Sequence, residues 1–213
     1  MRIAILGGTG RMGNGLARVY AKAGHEVCLG SRHARRADKQ AVTIKAEFPE
    51  ANVRGTDLKS AAADAELILL SVPFQDVAKL VADLCDLLEG KIIVDITNPF
   101  GAVPVGQVSG VEHNANALGR PARWVAAYKT NFWKTLSEPS DASGVQRDVF
   151  ICTDDDDARR VVSQLVEATG MHPVDCGSLE NARTLDPMVP LMLELDRRYA
   201  GHSTSSWKFH VSR

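Results

Sequence analysis

No stretch of this chain stays apolar long enough to span a bilayer, and its start runs straight into a β-prone segment rather than a secretory or transit peptide. A cytoplasmic protein is therefore expected. Excess charge is missing too: 25 Lys and Arg stand against 26 Asp and Glu, a net charge of −1. That balance lacks the basic surplus of a nucleic-acid binder. Cysteine is sparse, and Cys28, Cys85, Cys152 and Cys176 make no Cys-x-x-Cys pair. The histidines (His25, His33, His113, His172, His202, His210) show no ligand spacing. Neither a metal centre nor a disulfide framework is expected, and the cysteines read as small buried hydrophobes.

What is present begins at once. The apolar run Ile3-Ala4-Ile5-Leu6 stops at Gly7-Gly8-Thr9-Gly10-Arg11-Met12-Gly13. Gly8, Gly10 and Gly13 satisfy G-x-G-x-x-G, the dinucleotide-binding pattern, directly after a strand and before a helix. The first glycine is assigned the tight turn, the second the approach of a pyrophosphate, the third close helix–strand packing. Phosphates at a helix N-terminus meet free N–H groups and the positive end of the macrodipole.

At 213 residues the chain suits one large α/β domain with a small C-terminal extension. Periodicity predicts strands over 3–6, 26–29, 52–55, 67–72, 91–96, 124–128, 148–152 and 172–175. Helices are predicted over 11–23, from the arginines at 32–36 to 48, over 75–88, around 111–118, and from the aspartate run 154–157 to 169. In that run one aspartate serves as N-cap, since acidic residues complement a helix start and the alternating ligands of a calcium loop are absent. A last helix, 179–199, must be kinked or interrupted by Pro187 and Pro190, and 201–213 reads as a flexible or partner-bound polar tail. Alternating strands and helices imply a doubly wound, mostly parallel sheet. Residues 1–136 form its nucleotide domain, and 137–213 a small C-terminal part with two strands and helices that completes the acceptor pocket.

Ligands of such sheets lie outside the carboxyl ends of the strands. The second strand ends in Gly30-Ser31-Arg32, where NAD-preferring sites place an acid for the ribose 2′-OH. Ser31 with Arg32, and Arg35 and Arg36 one turn later, instead suit a 2′-phosphate, which predicts NADP(H). Ser71-Val72-Pro73, Thr97-Asn98-Pro99 and Ala127 before Lys129 mark the other strand ends. The long 100–121 segment reads as a lid or binding loop.

Together the Met1–Gly10 block, Gly24-His25-Glu26, Gly30-Ser31-Arg32, Ser71-Val72-Pro73-Phe74, Asp95-Ile96-Thr97-Asn98-Pro99, the Asp154–Asp157 run and Asp175–Arg183 resemble the NADPH-dependent reductases of coenzyme F420. They are more distantly similar to the cytosolic NADPH domains of six-transmembrane ferric reductases. The resemblance implies a Rossmann-type domain, usually dimeric. It places Gly8, Thr9, Gly10, Arg11 and Met12 at the pyrophosphate and Ser31, Arg32 and Arg36 at the 2′-phosphate. Ser71, Val72, Pro73, Asn98, Pro99 and Ala127 fall beside the nicotinamide and its ribose. Where relatives carry Asn or His before the threonine after the sixth strand, this chain has Lys129.

The expected activity is hydride transfer between NADPH and F420 or a flavin-like acceptor, with Lys129 as the candidate group beside the acceptor. Cofactor-borne hydride chemistry needs no side-chain acid or base, which fits the lack of a catalytic dyad. A reductase of a small carbonyl or imine is the alternative; it would need a proton donor, with Tyr128, Lys129 and His113 as candidates. The Ser/Tyr/Lys spacing of short-chain dehydrogenases is absent. A non-catalytic NADP(H) sensor is the third reading.

Overall fold

The apolar runs become the core strands of a computed structural model that describes residues 1–211. These are β1 (Arg2–Leu6), β2 (Glu26–Ser31), β3 (Val53–Asp57), β4 (Leu67–Leu70), β5 (Ile92–Asp95) and β6 (Arg123–Ala126). They form a six-stranded sheet in the order β3-β2-β1-β4-β5-β6, with every neighbouring pair parallel. This is the doubly wound Rossmann order, whose direction reverses between β1 and β4 and opens a crevice there. All four residues of β4 are completely buried, as a central parallel strand covered on both faces requires. Each such leucine or isoleucine contributes about 2 kcal/mol by leaving water.

Helices cover both faces. One layer of core joins α1 (Arg11–Lys22) and α2 (Ala34–Glu47) to the sheet through Leu16, Tyr20 and Ile44. The other joins α3 (Leu58–Asp64), α4 (Phe74–Asp83), α5 (Cys85–Leu88) and α6 (Gly110–Leu118) through Ala61, Val77, Leu88 and Val111. The C-terminal part adds β7 (Asp148–Ile151), α7 (Asp156–Ala168), β8 (His172–Asp175) and α8 (Ala182–Arg198). β7 and β8 pair in parallel as a separate two-stranded sheet. Ala126 and Cys152 exchange backbone hydrogen bonds of 2.9 and 3.0 Å, which tie β7 to β6. Among the described residues no helix is long and apolar enough to cross a membrane.

The structure departs from the sequence expectation in four places. Helix α3 was not expected; it is one short run of seven residues, started by Asp57, whose carboxylate accepts the Ser60 N–H at 2.9 Å. The helix expected over 75–88 is two, because Leu84 leaves the helical region at ψ 10°. By contrast α8 runs through Pro187 and Pro190 without interruption. The two prolines lie three residues apart, on one side of the helix, so the carbonyls they leave unpaired also share a side.

The tail 201–209 is anchored as well. Asp196 accepts N–H bonds from Ser203 and Ser205, Arg147 donates to the Thr204 carbonyl, and Asp148 accepts from Lys208 and Phe209. Burial pushes the Asp148 carboxyl up, but bonds from Lys208, Phe209 and His172 outweigh it and hold the group below the usual carboxylate range. The aspartate run has structural work: Asp155 caps α7, Asp154 accepts the Leu179 N–H, and Asp156 and Asp157 pair with Arg159 and Arg160.

Candidate active site

The carboxyl end of β1 turns into α1 through backbone contacts that only glycine permits. Gly7 adopts φ +94°, and a Cβ there would lie 2.4 Å from the Ser71 carbonyl oxygen. The left-handed turn thus falls on Gly7, one residue before the glycine to which the motif assigns it. A Cβ on Gly13 would meet the Gly7 oxygen at 2.7 Å, so α1 sits against the turn as the third glycine requires. The result is a helix that begins with nothing capping it. Gly10 is the N-cap of α1, without a side-chain hydrogen bond and with no acid in the first turn.

Helix α2 begins in the same way, with His33 as an uncapping N-cap residue and no acid in its first turn. Asp57, Ser109 and Asp155 each accept an N–H at the starts of α3, α6 and α7, whereas α4, α5 and α8 also begin without a side-chain cap. The bare N-termini of α1 and α2 face one crevice of about 530 Å³, lined by Gly7, Thr9, Gly10, Ser31, Arg32 and Arg36 on one side. Ser71, Val72 and Pro73 line it across the strand-order reversal. Among the described residues, no ion pair engages Arg11, Arg32 or Arg36. Exposed N–H groups, helix dipoles and unneutralised guanidinium groups make this a site for a polyanion.

A second opening lies at the ends of β5 and β6. Asp95 is fully buried and takes the Thr97 N–H and hydroxyl at 2.7 Å each and the Asn114 amide at 2.8 Å. This fixes the turn into Asn98 and Pro99. The Asn98 amide nitrogen donates to the Lys129 carbonyl at 3.0 Å, while its Oδ1 is buried with no hydrogen-bond partner among the described residues. A buried acceptor left open at a strand end suits a ligand N–H or hydroxyl. Beyond Pro99 a cavity of about 370 Å³ runs between the Phe100–Val108 loop and the prolines of α8, Pro187 and Pro190.

Sequence comparison decides the family. A family model described as NADP oxidoreductase, coenzyme F420-dependent, matches residues 2–99. The F420-dependent NADP reductase of Methanothermobacter thermautotrophicus is 33% identical over 93% of this chain and 90% of its own length. The chain belongs to the F420-dependent NADP oxidoreductase family. The solved structure of an Arthrobacter sp. FB24 protein assigned as an F420-dependent NADP reductase superposes with a TM-score of 0.83 over the whole of both chains, at 28% identity. More distantly, rat Metalloreductase STEAP3 is 30% identical over 90% of this chain, which corresponds to 37% of that protein.

Within this family member the residues singled out from the sequence divide by position. Thr9, Gly10, Ser31, Arg32, Arg36, Ser71, Val72 and Pro73 share the large crevice. Arg11 stands beside it over the Trp133 ring, 5.5 Å from the centroid, where a smaller cavity opens. Gly8 is buried beneath the turn, and a Cβ on it would lie 2.6 Å from a Leu29 methyl. Met12 packs against the core. Pro99 lines the cavity beside α8. Ala127 is wholly buried in the core layer under α1.

Lys129 is buried rather than offered to solvent: its Nζ donates to the Thr97 carbonyl at 2.5 Å and lies 3.0 Å from Asp186 Oδ1. The other proton-donor candidates are also engaged or displaced. Tyr128 turns into the core at φ +56°, its hydroxyl 2.7 Å from that of Tyr20, and burial raises its pKa far above the usual value. His113 is exposed and rests on Phe74.

Sequence reasoning missed His33, Leu58, Gln75, Asp76, Lys79, Leu80 and Asp83 on the crevice wall. Leu58 opens the helix that was not expected. Gln75, Lys79 and Leu80 belong to one face of α4, and their i, i+4 and i+5 spacing was a signal that could have found them.

Proposed function

We propose that this protein transfers hydride between NADPH and coenzyme F420, with NADPH in the 530 Å³ crevice and the deazaflavin in the 370 Å³ cavity beyond Pro99. The single observation that carries the assignment of the donor is the pair of uncapped helix N-termini with free Arg32 and Arg36 facing one crevice. The nicotinamide supplies a hydride, and the deazaflavin accepts it together with one solvent proton.

The chain supplies place and shielding. The α1 N-terminus, with Thr9, Gly10 and Arg11, holds the pyrophosphate. Ser31, Arg32 and Arg36 hold the 2′-phosphate. Asn98 Oδ1 accepts from the nicotinamide side, and Ser71, Val72, Pro73 and Pro99 border it. Apolar walls from Val103, Val108, Pro187 and Pro190 exclude water from the acceptor. Orientation of two rings in a closed site is then the main source of acceleration.

Tyr128 and Lys129, two of the proton-donor candidates for a carbonyl or imine, are buried in pairs with other groups. Residues 137–213 form the second part that completes the acceptor pocket, through α8. The exposed apolar side chains Leu191, Leu193 and Tyr199 on and beside α8 support a homodimer, and sedimentation velocity tests it. An NADP(H)-linked exchange of this kind belongs in the cytoplasm. Anaerobic mixing of NADPH with F420, FMN, ferric chelates and small carbonyls tests the function: only F420 should be reduced rapidly.

A further inference from the structure

Lys129 and Asp186 form an ion pair inside the protein, and Asp186 lines the cavity beside α8. Their side chains are 0% and 7% exposed, with Lys129 Nζ 3.0 Å from Asp186 Oδ1. Burial of an ion pair is costly, and it seldom stabilises a fold better than apolar residues of the same size. Its contacts indicate another use. Lys129 Nζ also donates to the Thr97 carbonyl at 2.5 Å, while the Lys129 carbonyl accepts the Asn98 amide at 3.0 Å. One lysine therefore grips consecutive residues of the loop, through its side chain and through its backbone. Asp186 reaches the other way: its Oδ2 accepts the Gly110 N–H at 2.7 Å, and the residue lines the cavity beside α8.

We propose that Lys129 and Asp186 are positioning residues that lock the Thr97–Asn98–Pro99 turn to helix α8, so that Asn98, assigned above to the nicotinamide side, and the α8 wall of the acceptor cavity are held at one fixed separation. This rests on the assignment of donor and acceptor made above. Neither side chain touches a reacting atom. The cation is consumed in holding a backbone carbonyl, and the carboxylate joins that cation to the start of α6 and to α8. Because Asp95 fixes Thr97 from the opposite side, loss of the pair frees only the segment from Asn98 onward. Hydride transfer is sensitive to such slack, since a displacement of about 1 Å can cost about a hundredfold in rate.

The test uses the full-length protein as wild type, Asp186→Asn, Lys129→Met and the double variant Lys129→Met/Asp186→Leu. The first readout needs no acceptor: hydrogen exchange over 98–101 in nucleotide-free protein should quicken at least about tenfold in all variants, with β1 unchanged. The second is single-turnover hydride transfer from NADPH to F420. It should slow by about ten- to a hundredfold while the Kd for NADPH stays within about twofold. The double variant separates positioning from folding, because an apolar pair keeps or raises the melting temperature and should leave both the exchange and the rate defects in place. Wild-type exchange over 98–101, or a double variant that regains the wild-type rate, overturns the proposal. A loss of rate matched by an equal loss of NADPH affinity overturns it too. A wild-type protein that does not reduce F420 sinks the donor–acceptor reading instead, and the exchange measurement still decides whether the pair locks the turn.

Discussion

Replacing Arg32 by alanine should remove much of the preference for NADPH over NADH without slowing the chemistry. Arg32 and Arg36 stand at the bare start of α2 on the wall of the crevice, and both are exposed. A charge-assisted bond from guanidinium to phosphate contributes about 1.5 to 3 kcal/mol. Solvent exposure puts Arg32 at the lower end, about 1.5 kcal/mol, which is about a tenfold rise in the KM for NADPH. Removal of both arginines should approach about a hundredfold, less any coupling between neighbours. The contact lies at the far end of the nucleotide from the hydride, so it is made equally in the ground and transition states, and kcat should hold. The KM for NADH, which has no 2′-phosphate, should move by less than about twofold. Added salt should shrink the wild-type preference, because exposed charges are screened within about 8 Å at physiological ionic strength. Steady-state kinetics with both nucleotides reads all of this. Equal losses for NADPH and NADH, or no loss for either, would refute the reasoning.

Gly13→Ala should both destabilise the fold and weaken NADPH binding, since its Cβ would stand 2.7 Å from the Gly7 oxygen; overpacking of this kind costs about 1 to 3 kcal/mol, readable by urea denaturation. Val105→Trp, at an exposed position on the acceptor cavity, should raise the KM for F420 about tenfold and leave the Kd for NADPH untouched; an unchanged acceptor KM would remove that cavity from the account. The pH dependence follows from the tail. Asp148 and Asp196 are held below the usual carboxylate range in the folded protein, where bonds from Lys208, Phe209, Ser203 and Ser205 outweigh the effect of burial. Groups with depressed folded pKa values stabilise above their unfolded value, near pH 4, and that stability is lost as pH falls through the folded value. Limited proteolysis should therefore release the 201–211 segment in acid but not at neutral pH. Asp148→Asn should loosen it at neutral pH and flatten the dependence.

The nucleotide half was legible because local chemistry determines it. A run such as Leu67–Leu70, bounded by turn residues, reads as a covered strand and is one, and the glycines of Gly7–Gly13 permit the tight turn into α1. Ser31 and Arg32 could be read as a pair at the end of the second strand, and both line the crevice. What escaped depends on partners far apart in the chain. Lys129 reads as a cation at a strand end, yet its side chain is buried against Asp186, 57 residues later on α8. The tail reads as loose because it has no apolar pattern; its anchors are the side chains of Arg147, Asp148 and Asp196. Pro187 and Pro190 predicted a kink or an interruption, but both line the cavity next to the Phe100–Val108 loop, and α8 continues past them. Helix α3 was too short for a periodic signal, and its one clear mark was the Asp57 cap.

The central claim is that hydride passes between the crevice under Arg32 and the cavity beside α8, with F420 as acceptor. Anaerobic stopped-flow of the NADPH-loaded wild-type protein against F420 tests it most directly. The account predicts F420 reduction in step with NADPH oxidation, saturable in F420 and competed by a ligand that fills the 370 Å³ cavity. Tight NADPH binding without oxidation by F420, or oxidation by small carbonyls alone, would contradict it.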